Sequence, residues 1–130
     1  MRRRLACLAL IAILAAPAVA GAEGHGKKAK APYVDLPTLT ATILRSNGAH
    51  GTITVDIGLD APDAALRDRI DLSVPLLRAA YVSVLQPYAL SIPPGGAPNA
   101  DYISMILQRQ TDQVLGRKGA RLLLGSILVY

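Results

Sequence analysis

Gly51-Thr52-Ile53-Thr54-Val55-Asp56-Ile57-Gly58-Leu59 is the stretch from which the fold is legible. Its apolar residues Ile53, Val55, Ile57 and Leu59 alternate one for one with Thr52, Thr54, Asp56 and Gly58. A period of two sends successive side chains to opposite faces, so the pattern predicts a β-strand with one face in a core and the other toward water. Upstream, Tyr33 to Leu44 alternates likewise, with Leu39, Ala41 and Ile43 on one face and Thr38, Thr40 and Thr42 on the other. Between them Ser46-Asn47-Gly48 supplies residues that tolerate positive φ, which predicts an antiparallel hairpin. Pro37 cannot donate to a ladder and places the first strand's start at an edge or bend.

Downstream, Asp60-Ala61-Pro62-Asp63 opens a helix, with Asp60 as the candidate N-cap. Leu66, Ile70, Val74, Leu77, Tyr81 and Val84 recur every three or four residues, opposite Arg67, Asp71 and Arg78. Pro75 is expected to bend this helix or split it near Asp71 to Val74, and Pro87 to help end it. After the turn-rich connector Ser91 to Pro98, Asn99 or Asp101 caps a second helix whose inner side carries Ile103, Ile106, Leu107 and Val114 and which Gly116 stops. Ala120 to Tyr130 (ARLLLGSILVY) is continuously apolar, which suits a strand covered on both faces and lying beside the hairpin. The expectation is an α+β domain: a small antiparallel three-stranded sheet packed against two helices, in the order β-β-α-α-β, after an N-terminal apolar helix.

The chain divides into a segment 1–22, a linker 23–31 and a domain 32–130. Arg2 to Arg4, the apolar run Leu5 to Ala16 and the small residues of Pro17 to Ala22 form an export signal or, if retained, a membrane anchor. Gly21 to Ala31 (GAEGHGKKAKA) is too poor in apolar residues to repay its ordering entropy, so it is expected to be a flexible basic stalk. The formal charge of +5 resides in these two parts. From Pro32 onward eight basic residues meet eight aspartates. With no basic stripe and no Phe or Trp for base stacking, nucleic-acid binding is not expected. The only cysteine, Cys7, lies in the apolar run, so packing alone must hold the domain together.

Chemistry-bearing residues are few. The histidines are His25 in the stalk and His50 in the hairpin turn. Gly125-Ser126 lacks the glycine-x-serine-x-glycine context of a nucleophile elbow, and Ser126 is expected to be a small residue packed under a helix. Asp60 and Asp63 suit a helix start, while Asp56, Asp68 and Asp71 suit a solvated charged surface. Gly95-Gly96 follows prolines and lacks the lysine and preceding strand of a phosphate loop. Cleavage after Ala22 would expose Glu23-Gly24-His25, whose amine, amides and imidazole suit square-planar Cu(II) or Ni(II). Tyr81, Tyr88 and Tyr102 are either interface anchors or the edge of the core. No catalytic residue, cofactor or resident metal ligand is assigned, and the expected character is non-enzymatic.

Several pieces together resemble the flagellar basal-body-associated FliL family: the basic N-terminus, the apolar segment and charged stalk, Tyr33-Val34-Asp35-Leu36-Pro37, Gly51 to Ile57, Val74-Pro75-Leu76-Leu77-Arg78-Ala79-Ala80 and the apolar closing strand. The resemblance spans Pro32 to Tyr130 and implies a periplasmic domain similar to the stomatin-type fold. It also implies self-association and contact with envelope proteins, among them the flagellar stator, in support of motility. The alternative is a free periplasmic binding or chaperone-like module unrelated to flagella.

Overall fold

Residues 32–130 are described by a computed structural model. The expected export or anchor segment with its apolar helix, the expected stalk and the conditional Glu23-Gly24-His25 site lie outside the described residues. The elements are β1 (Tyr33–Asp35), β2 (Leu39–Leu44), β3 (His50–Asp60), α1 (Ala64–Ser91), α2 (Ala100–Leu115) and β4 (Arg121–Val129). Four antiparallel strands and two helices thus make an α+β fold.

β3 is the centre of the sheet. β2 pairs with its first half (Leu39 opposite Val55, Leu44 opposite His50) and β1 with its last residues (Tyr33 opposite Asp60). β4 pairs with β3 from Ile53 to Asp60, which places it on the other side. Three lanes therefore hold four strands, because the lane expected as one strand from Tyr33 to Leu44 breaks at Leu36 to Thr38. The break falls at Pro37, which has no N–H to offer. The hairpin forms as the turn residues dictate: Gly48 takes φ 78° and its N–H donates to the Arg45 carbonyl at 2.9 Å.

Both helices lie on the face that carries Ile53, Val55, Ile57 and Leu59, all buried. α1 lies against β2, α2 against β4, and the helices touch each other. Leu66, Ile70, Leu77, Tyr81, Leu85 and Ala89 of α1 are buried against the sheet, with Val74 and Val84 partly so. At roughly 1.5–3 kcal/mol for each fully buried large side chain, this face outweighs the penalty of about 3 kcal/mol for an interior proline. Hence α1 runs unbroken through Pro75 and Pro87, where a split and a stop were expected. Both prolines sit on the exposed side, as do Asp71 and Ser83, whose carbonyls they leave without a helical donor.

Three further expectations are corrected. The N-cap is Asp63, whose carboxylate accepts from the Ala65 N–H at 3.0 Å, because Asp60 is committed to β3 opposite Tyr33 and Arg121. β4 is covered on one face only, since both helices occupy the same side; Leu128 on the other face is about half exposed, and at the strand's end so are Val129, on the helix side, and Tyr130. Ser126 is not under a helix but on the exposed outer face, where a bulge sets it and Gly125 against Asp56. Of the two candidate caps of α2, Asn99 takes the role and Asp101 lies in the first turn, while Gly116 ends the helix in the left-handed region as expected.

Candidate functional site

α1 carries two apolar faces. The inner one is core. On the outer side Leu72, Leu76, Ala79, Ser83, Pro87 and Leu90 follow one another at steps of three or four, which aligns them along a single stripe. Leu72 is 85% and Leu76 65% exposed, values at which a leucine contributes nothing to this chain's own core. Among the described residues these two, flanking Pro75, are the most exposed large apolar side chains. Apolar surface gathered in one place rather than scattered marks contact sites.

The same stripe leads into a groove between the helices of about 450 Å³, lined among others by Pro87, Tyr88, Tyr102, Ile106, Arg109 and Gln110. Tyr88 and Tyr102 face each other with ring centroids 4.8 Å apart at 38°. The Asn99 N–H donates to the Tyr88 hydroxyl at 2.8 Å, so this ring is held by the very residue that caps α2. Tyr102, 44% exposed, offers the wet edge of the pair. Of the three tyrosines left open between anchor and core, Tyr81 is buried and the other two line the groove.

The opposite face of the sheet holds a polar cluster. Thr38 at the break in the first lane donates to Asp56 Oδ1 at 2.7 Å, and Ser126 in the β4 bulge donates to Asp56 Oδ2. The Ser126 hydroxyl, and after it that of Thr38, holds the Asp56 carboxyl below the usual carboxylate range. One carboxylate thus ties together three lanes at the two places where the sheet is irregular. Gly125 makes this approach feasible, because a Cβ there would stand 3.1 Å from the Asp56 Cβ. The alternation placed Asp56 on the outer face from sequence, but neither hydroxyl was legible, since a bulge and a strand break shift register without leaving a mark in the hydrophobic pattern.

The remaining sequence candidates are dispersed. His50 begins β3, six residues from Asp56 and therefore about 20 Å away along the strand. Arg78 is in the helix layer, on the other side of the sheet from Asp56. Asp56, His50 and Arg78 are not brought together. Asp63 caps α1 and pairs with Arg117, and the Arg117 guanidinium, followed by the Ala65 N–H, lowers the Asp63 pKa. Asp60 closes β3, while Asp68 and Asp71 are exposed on α1. Gly95 spends its N–H on the Leu44 carbonyl of the hairpin (3.2 Å) and Gly96 on that of Pro93 within the connector (2.7 Å), so neither amide opens toward a ligand. Among the described residues no group of three or more His, Cys, Asp or Glu is placed to hold a metal ion, and no helix is long and apolar enough to cross a membrane. No family model matches the chain, and no curated protein matches it.

Proposed function

We propose that this chain is a FliL-like protein of the cell envelope. Its domain stands in the periplasm, free or tethered by the N-terminal segment, and supports the flagellar motor through contact with itself and with envelope proteins such as the stator, without catalysing a reaction. The observation that carries a contact role is the second apolar stripe of α1, with Leu72 85% and Leu76 65% exposed on a helix whose opposite face is already buried. The flagellar assignment rests on the order of motifs from Tyr33 to the closing strand.

The test pairs a clean deletion with the double variant Leu72→Glu/Leu76→Glu in the full chain. Both leucines are exposed, so the variant is expected to melt within a few degrees of the parent. It is expected to lose swimming and cross-linking to stator subunits to the same degree as the deletion. Intact swimming in the deletion strain, together with absent stator cross-links in the parent, overturns the flagellar role. A second role, as a periplasmic binding module, is favoured by the Tyr88–Tyr102 groove. In that case Tyr102→Ala, and not the leucine pair, abolishes capture of the bound partner.

A further inference from the structure

The two edges of the sheet are treated differently. An unpaired edge offers a row of backbone N–H and C=O groups to any strand that comes alongside. On β2 that row is closed at Thr42 and Leu44. The Gln86 side chain reaches from α1 and pairs with the Thr42 backbone, accepting from its N–H at 3.1 Å and donating to its carbonyl at 3.3 Å. Two residues on, the Leu44 carbonyl accepts from the Gly95 N–H at 3.2 Å. On β4 a second glutamine does the same at one end only. Gln108 of α2 donates to the Ala120 carbonyl at 2.9 Å and accepts from the Leu122 N–H at 2.7 Å.

Beyond Leu122 the β4 edge has no such cover among the described residues. Tyr130 exchanges both N–H···O bonds with Thr52 of the central strand, at 2.9 and 3.2 Å. Backbone groups alternate in direction along an antiparallel ladder, so those of Leu128 also face β3 while those of Ile127 and Val129 face outward. The side chains there are apolar on both faces of the sheet: Leu128 48% and Val129 47% exposed, on opposite sides.

We infer that a second copy of this chain pairs here, β4 against β4, antiparallel across a twofold axis at Leu128. Ile127 of each copy then exchanges backbone hydrogen bonds with Val129 of the other, Leu128 faces Leu128, and the two sheets become one. Three features favour a copy of the chain as occupant. An antiparallel twofold matches each open donor with an open acceptor from an identical strand. The segment Leu122 to Val129 has no ionisable side chain of its own. The single charge of β4, Arg121, stands seven residues from the axis, about 24 Å, so a twofold carries the two arginines to opposite ends, whereas parallel pairing would stack them. Gln108 sets the register, because its amide occupies the edge at Leu122 and leaves only the far end for a partner. The pairing rests on the self-association in the function proposed above and is independent of the flagellar role.

The full chain and the variants Leu128→Lys and Leu128→Glu are compared by sedimentation equilibrium, each alone and the two variants mixed. The parent is expected to dimerise with a Kd between about 1 and 100 µM, as for a small interface. Each variant alone places two like charges opposite each other and is expected to weaken the dimer at least about tenfold. The equimolar mixture is expected to restore it, which a misfolded variant does not do. A parent that stays monomeric at about 500 µM, variants that dimerise like the parent, or a mixture that fails to recover each overturns the pairing. Swimming assays on the same variants separate this outcome from that of the flagellar role.

Discussion

Tyr81 and Thr111 form a buried polar pair in an otherwise apolar core, with 2.7 Å between their hydroxyl oxygens. Thr111 donates its own hydrogen to the Leu107 carbonyl at 2.9 Å, so Tyr81 is the donor between them. Burial pushes the Tyr81 pKa up to about 12, which keeps that hydrogen in place throughout the physiological range. The two partners are not equivalent. In Tyr81→Phe, Thr111 keeps its donor bond, and the expected loss is about 1 kcal/mol. In Thr111→Val, the Tyr81 hydroxyl is left buried with no acceptor, and the expected loss is about 2–3 kcal/mol. Urea denaturation of the two variants checks the order; equal losses would mean that the hydroxyl finds water. Thr111 was not singled out from sequence, because a threonine among Ile103, Ile106, Leu107 and Val114 is marked as buried only by the residue facing it from α1.

α1 shows how an element survives local signals against it. Two prolines predict a broken helix, and the helix runs from Ala64 to Ser91 because its inner face has the whole sheet to pack on. Neighbouring residues on it are therefore expected to differ sharply. Leu77 is fully buried, and Leu77→Ala should cost about 2–5 kcal/mol. Leu76, 65% exposed, should cost no more than about 0.5 kcal/mol on the same change. Thermal melts of the two variants measure the difference. A costly Leu76→Ala in the monomer would mean that the outer stripe packs within the chain and is not a contact face. β4 makes the complementary point: its continuous apolar run led to an expectation of burial on both faces, yet the helices cover one. An apolar run states what a strand needs to bury and leaves open whether its own chain provides the cover.

Acid tests the molecule as a whole, because the carboxylates with lowered pKa tie distant segments together: Asp56 the three lanes of the sheet, Asp63 the start of α1 to Arg117 after α2. For each, the folded value lies below the ordinary 3.8. The stability they supply is therefore present above pH 3.8 and is lost as pH falls through the folded values. The melting temperature is expected to drop below about pH 4, and Asp56→Asn/Asp63→Asn to flatten that drop while lowering stability at pH 7; an unchanged acid limb in the double variant refutes the assignment. At this scale the sequence by itself determined the class of fold, the hairpin, the stop of α2 at Gly116, and the inner faces of both helices. Each of these is set by a residue's own backbone preference or by a period of two or 3.6, which is local information. Only the tertiary structure decided the split of the first lane, the unbroken α1, the pairing of Ser126 and Thr38 with Asp56, the second stripe of α1 as surface, and the open half of the β4 edge. Each of those depends on which element lies opposite, and neighbours distant in sequence leave no periodicity to read.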